Sequence, residues 1–272
     1  MPNSAAAKAR ASDTVRAPGA LRLALEARMP WELWTSLMAL PLLNSMPRGD
    51  GHPVLVFPGL AASDLSTAPL RRYLRDRGYD ARAWDLGRNV GPGNGVIEAC
   101  TAKIRELHAT SGRKVSLIGW SLGGIYAREA AKLVPNEVRS VITLGTPFSG
   151  HPRATNAWRI YELASGERVD ARADTFDLKT APPVPTTSIY SRTDGIVAWQ
   201  CSVQAPGQGQ TENIEVQASH VGLGVNPAVL YAVADRLALP EGQWVPFDTS
   251  GLKRFVFGDP KAADWFPKTC LV

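Results

Sequence analysis

The sequence predicts an α/β fold: a doubly wound, mostly parallel sheet with helices on both faces and a helical cap or lid inserted into it. Two observations carry this. From His52 to near Leu237, short β-prone apolar runs alternate with runs whose apolar residues recur at helical spacing. The rhythm breaks once, over residues 148–185, and a connection that long inside a compact domain is usually a functional insertion.

In chain order, residues 1–18 are alanine-rich and polar and read as disordered. Residues 19–50 read as an N-terminal amphipathic segment, helical over 19–46, with Pro30 and Pro41 as breaks or helix starts. The domain proper, 51–238, opens with a strand at 52–58 (HPVLVFP). A helix over Leu65–Asp76 follows, with Ser63 or Asp64 as its cap. A second strand covers 80–86, then a long helix covers Val96–Thr110. The third strand, 114–119 (KVSLIG), leads into a helix just past Ser121. Further strands cover 138–145, 186–191 and 213–218, and a final helix spans Pro227–Leu237. Such alternation implies parallel strands joined by right-handed crossovers. Within the insertion, residues 157–167 (AWRIYELASGE) read as a helix. Residues 239–272, rich in Pro, Trp, Phe and Asp, read as an extension packed on the domain.

With 44% apolar and 20% charged residues the chain has the composition of a folded soluble protein. Its net charge of +5 is scattered and not interleaved with a nucleic-acid motif, so no nucleic-acid partner is expected. Cys100, Cys201 and Cys270 have no metal-type spacing; free thiols in a reducing cytoplasm are expected, with a Cys201–Cys270 bridge left open. The N-terminus lacks the apolar core of a signal peptide, although secretion stays open, and the apolar run Trp31–Leu43 is too short to span a bilayer. That run is expected to dock on the domain; peripheral membrane or oligomer contact through 19–46 is the alternative. No phosphate loop, dinucleotide fingerprint or metal-ligand cluster is legible, so no cofactor is expected.

The chemistry centres on Gly119-Trp120-Ser121-Leu122-Gly123, between a strand-like and a helix-like run. A serine on such a turn projects its hydroxyl outward, and the flanking glycines avoid collision with neighbouring backbone. Serine needs a base, and the base an acid to hold its tautomer. Of His52, His108, His151 and His220, only His220 follows every plausible acid and sits just after a strand; His151 is the rival. Of Asp170, Asp174, Asp177 and Asp194, only Asp194 directly follows a strand, where loops at the carboxyl edge of a parallel sheet converge. Asp-Gly is also a turn signal in its own right. A tetrahedral oxyanion needs two amide donors, assigned here to Leu122 and, after the first strand, to Leu60, with Gly59 allowing close approach. Trp120 either lines the substrate pocket or packs beneath the turn. Arg88 and Asn89, also at this edge, are expected to hold loops rather than touch substrate.

Together FPGL, GWSLGG, IYSRTDGIV and ASHVGLG make the chain, over roughly 52–237, resemble the α/β-hydrolase superfamily, and more narrowly small bacterial lipases and esterases. The resemblance implies the α/β-hydrolase fold and carboxylic ester hydrolysis through an acyl-serine, with Ser121, Asp194 and His220 as triad and Leu60 and Leu122 as donors. The substrate would be a small-molecule or lipid ester, met by Trp120, Gly59 and, from an apolar lid, Trp158. The chain departs from many such lipases in having Pro58-Gly59 where they carry His-Gly, and Trp120 before the serine. An acyltransferase, an amidase or a non-catalytic binder on the same fold are the alternatives.

Overall fold

The computed structural model describes residues 15–93, 95–149, 155–156 and 177–258. The predicted insertion helix with Trp158, as well as His151 and Cys270, lies outside them. Six strands, β1 (Pro53–Phe57), β2 (Asp80–Ala83), β3 (Val115–Trp120), β4 (Val138–Leu144), β5 (Thr186–Tyr190) and β6 (Thr211–Glu215), form one sheet in the order β2-β1-β3-β4-β5-β6. Every neighbouring pair is parallel, in registers such as Val56↔Ile118 and Leu144↔Ile189.

The period-2 alternation of the strands splits the core in two. Val54, Val56, Ile118, Ile142, Leu144 and Ile189 pack toward α4 (Ala68–Asp76) and α7 (Pro227–Leu237). Leu55, Phe57, Val115, Leu117 and Val141 pack toward α5 (Val96–Ser111) and α6 (Leu122–Leu133). With both faces covered, the central strands read as continuous apolar runs. The chain runs from β1 outward to β2, then returns past β1 to β3. The carboxyl ends of β1 and β3 therefore flank the point where strand order reverses, which is where open α/β sheets bind ligands.

Three elements differ in extent from expectation. Helix α4 starts at Ala68, not Leu65, because Pro69 sits in its first turn and Leu65 points into solvent. Neither Ser63 nor Asp64 caps it; Asp64 instead accepts from the amides of Trp84 and Asp85 at 3.2 and 3.3 Å. Strand β2 ends at Ala83 because Asp85 adopts a left-handed φ of 61°. Strand β6 begins two residues early, pairing Thr211 with Thr186, and Val216 and Ala218 continue into the core beyond it.

The N-terminal segment comprises α1 (Ala20–Ala24), a 3-10 turn (Leu25–Arg28), α2 (Met29–Met38) and α3 (Leu40–Ser45), with Pro30 and Pro41 each in a first turn. It is docked: Leu43 and Met46 join the core on the α4/α7 side, and Ser36 Oγ donates to the Val225 carbonyl. At the other end of the chain Phe247 and Phe257 enter the same core, their rings 4.8 Å apart. Among the described residues no helix is long and apolar enough to cross a membrane.

Candidate active site

Ser121 is the N-cap of α6 and has φ 53°, ψ −123°, a conformation disfavoured for any residue with a side chain. Such strain persists only where the surroundings enforce it. A Cβ on Gly119 would lie 2.2 Å from Gly124 Cα, and one on Gly123 would lie 2.5 Å from the Phe57 carbonyl oxygen. A Cβ on Gly124 would lie 1.9 Å from Thr146 Oγ1. Helix α6 is thus pressed against β1, β3 and the end of β4, and the turn between Trp120 and Leu122 absorbs the distortion. The Ser121 amide donates to the Leu144 carbonyl at 2.8 Å, tying the turn to β4. The serine is half-buried, reachable at the carboxyl edge of the sheet.

Asp194 and His220, the predicted acid and base, meet. His220 Nδ1 lies 2.6 Å from Asp194 Oδ2, and both side chains are buried. The other oxygen, Asp194 Oδ1, accepts from the amides of Ile196 and Val197 at 2.8 and 2.7 Å, so the carboxylate is held at both ends. The pair rests on Gly145, where a Cβ would lie 3.1 Å from both Asp194 Oδ2 and His220 Nδ1. Gly145 follows Leu144, the residue that holds the Ser121 amide, so the serine turn and the acid–base pair share one anchor at the end of β4. Burial pushes the His220 pKa down, but the charge and hydrogen bond of Asp194, with the charge of Glu26, outweigh it and leave it above the ordinary histidine value. With Nδ1 on Asp194, Nε2 is the nitrogen left for a serine hydroxyl. Among the described residues no hydrogen bond joins Ser121 Oγ to the ring.

Trp120 packs against the loop that carries His220: its Nε1 donates to the His220 carbonyl at 3.1 Å and its ring lies against Gly224. Gly59 closes in from β1, where a Cβ would lie 3.3 Å from Ser121 Cβ. Among the described residues the amides of Leu60 and Leu122 donate to no protein acceptor, whereas the neighbouring Ala61 and Ala62 amides are used, by Asn89 and Gly59. Asn89 holds this loop as the sequence suggested. Its Nδ2 donates to the Pro58 carbonyl at 2.9 Å, and its Oδ1 accepts from the Gly91 amide and the Tyr126 hydroxyl at 3.1 and 3.2 Å. Arg88 is exposed.

A second Ser–His–Asp set has the same residue types and no comparable access. His52 contacts Asp50 Oδ1 through Nδ1 at 2.5 Å and Ser116 Oγ through Nε2 at 2.9 Å. His52 and Ser116 are fully buried, at the amino ends of β1 and β3, the edge opposite Ser121. Arg139 and Arg113 complete it as a structural ion-pair network around Asp50. Among the described residues no group of three or more His, Cys, Asp or Glu side chains is placed to hold a metal.

Three charged residues that sequence reading passed over lie against this site. Glu26 accepts from the amides of Gly195 and His220 through Oε1, at 2.7 and 2.9 Å, and of Val221 through Oε2, at 2.9 Å. Glu32 accepts from the Ser219 amide and hydroxyl at 2.7 and 3.0 Å, and from Arg28 Nε at 2.9 Å. Arg28 in turn donates to Thr193 Oγ1 at 2.7 Å. The available signal was Glu32 itself, a lone acid inside an apolar helical run.

Comparison with known proteins agrees with this fold. Residues 11–265 match the model of the alpha/beta hydrolase family. Over 109 residues the chain is 35% identical to a triacylglycerol lipase of Pseudarthrobacter phenanthrenivorans, covering 36% of this chain and 34% of that lipase. Over 91 residues it is 34% identical to the poly(3-hydroxyalkanoate) polymerase subunit PhaC of Allochromatium vinosum, covering 32% of this chain and 24% of that protein. The matches thus span about a third or less of the length of these curated relatives. Among solved structures, Aspergillus fumigatus lipase B superposes with a TM-score of 0.54 at 21% identity, over 73% of this chain and 56% of that one. A parallel sheet with a strained Gly-X-Ser-X-Gly turn at its reversal point, and a family match along nearly the whole sequence, lead to one conclusion: the chain belongs to the alpha/beta hydrolase family.

Proposed function

We propose that this protein is a serine hydrolase of carboxylic esters, an esterase or lipase, with Ser121 as nucleophile, His220 as base and Asp194 as the acid that orients it. The observation that carries this is the Asp194–His220 hydrogen bond of 2.6 Å, at the same sheet edge as the strained Ser121 turn. His220 Nε2 takes the proton of Ser121 Oγ while that oxygen bonds to the ester carbonyl carbon. The carbonyl electron pair moves onto oxygen, which accepts from the Leu60 amide of the loop after β1 and from the Leu122 amide at the α6 N-terminus. The intermediate collapses, the alkoxide leaves with the proton from Nε2, and water, deprotonated by the same nitrogen, releases the acid from Ser121.

The apolar residues of the insertion, Trp158 among them, are assigned the acyl pocket from sequence. Exposed Trp31 and Trp34, stacked at 4.8 Å between ring centres, together with Leu37 and Met38, support contact of the N-terminal segment with an apolar, ester-bearing surface. A panel of p-nitrophenyl esters tests the reading. Turnover is expected for the wild type and lost in Ser121→Ala; turnover retained in that variant would overturn it.

A second reading is acyl transfer, in which an alcohol replaces water at the acyl-enzyme. The similarity to a polymerase subunit favours it. Product ratios with added alcohol separate the two: an ester product exceeding the acid at low alcohol concentration would make transfer the main activity.

A further inference from the structure

We propose that Glu26 and Glu32, on the N-terminal helical segment, are positioning residues of the active site, which lock the Asp194 loop to the His220 loop. This rests on the triad reading above and extends it to the helical segment that precedes β1.

The argument begins with where the bonds fall. Asp194 and His220 lie on separate loops, after β5 and β6. Glu26 Oε1 accepts from Gly195, directly after the acid, and from His220 itself, so one oxygen spans both loops. Glu32 and Arg28 do the same on the other flank: Arg28 reaches Thr193, directly before the acid, and Glu32 reaches Ser219, directly before the histidine. The acid and the base are thus bracketed on both sides by charged groups from one foreign segment. Hydrogen bonds to charged groups are about twice as strong as neutral ones. Glu32 is buried, so solvent weakens its bonds little, whereas Glu26 is half-buried.

The site is also shaped to receive the segment. A Cβ on Gly195 would lie 2.2 Å from the Arg22 carbonyl oxygen, and one on Gly222 would lie 1.5 Å from Glu32 Oε2. Two glycines, one in each catalytic loop, therefore leave the space that the N-terminal helices fill. Neither has a left-handed φ, so close approach is the reason for glycine at both.

The consequence is electrostatic as well as geometric. The charged groups facing His220 are Asp194 from the β5 loop and Glu26 from the N-terminal segment, with Glu32 and Arg28 behind Ser219 and Thr193; Trp120, from the β3 side, carries no charge. Glu26 supports the imidazolium that forms as Ser121 gives up its proton. Its loss makes His220 easier to deprotonate and the imidazolium harder to form.

The test uses the full chain and two readouts: NMR titration of the His220 imidazole, and kcat and KM on a p-nitrophenyl ester as a function of pH. Glu26→Gln keeps a carbonyl acceptor and removes the charge. Its His220 titration and the acid limb of kcat/KM are expected to move to lower pH. Glu26→Ala is expected to lower kcat about tenfold with KM within about twofold, the effect of a misplaced but intact base. Should Glu26→Ala fail to fold, Glu26→Gln decides by its titration alone. A His220 titration unmoved in Glu26→Gln, with wild-type kcat, would overturn the proposal. A moved titration in a protein that cleaves no ester would keep the brace and reject the ester reading.

Discussion

Replacing Asn89 by alanine tests how the loop carrying Leu60 is held. Asn89 is 1% exposed and its side chain makes three hydrogen bonds, to the Pro58 carbonyl, the Gly91 amide and the Tyr126 hydroxyl. The truncation leaves those groups short of a partner at a site with little room for water. At about 1 kcal/mol net for each bond, the expected loss of stability is about 3 kcal/mol. For a chain of this size that is a fall in Tm of about 10 °C. The backbone bonds of Asn89, from the Ala61 amide at 2.7 Å and to the Ala62 carbonyl at 2.8 Å, do not depend on the side chain, so the loop should stay attached but move. Displacement of an oxyanion donor by a fraction of an ångström should cost about 10- to 100-fold in kcat, with KM little changed. Urea unfolding and p-nitrophenyl ester kinetics measure both terms. Asn89→Asp, which turns an oxygen toward the Pro58 carbonyl and buries a charge, should cost at least as much. If Asn89→Ala unfolds within about 0.5 kcal/mol of wild type and keeps its kcat, the side chain does not hold the loop and the reasoning fails.

Asp194→Asn should fold and yet lose about three to four orders of magnitude in kcat, because an amide presents the wrong partner to Nδ1–H; a loss below tenfold would mean that the carboxylate is not the orienting acid. Gly119→Ala should yield little folded protein, since its methyl would meet the backbone of Gly123 and Gly124, which no side-chain rotation relieves; solubility and circular dichroism check this, and a wild-type melting curve would contradict it. The pH dependence follows from the raised His220 pKa: the base must be neutral to act, so the acid limb of kcat/KM should lie above the ordinary histidine value near 6.5, with activity rising as pH increases through it. A limb well below that value would show that Asp194 and Glu26 do not outweigh burial.

The strands and the serine turn were legible because their signals are local. Five adjacent residues encode the elbow, and β1, β3 and β4 announce themselves as apolar runs because both of their faces are covered. Asp194 and His220, which the structure brings to within 2.6 Å, were singled out by chain order and by their place just past β-prone runs. Element ends were harder: Pro69 and the left-handed Asp85 outweighed the apolar pattern that suggested Leu65 and Leu86 as boundaries. Least legible was the role of the N-terminal segment. Glu26 meets Gly195 and His220 across separations of 169 and 194 residues, and nothing in the local pattern around a solitary acid names so distant a partner. The same holds for the contact of buried His52 with buried Ser116, 64 residues away, which with the exposed Asp50 repeats the residue types of a triad at the opposite edge of the sheet.

Labelling with a fluorophosphonate, followed by mass mapping of the modified peptide, probes the activated serine most directly. The wild type should carry the label on Ser121 alone, and His220→Ala should carry none. Label on another residue, or equal labelling of Ser121 with and without the imidazole, would contradict the assignment of His220 as the group that makes this hydroxyl reactive.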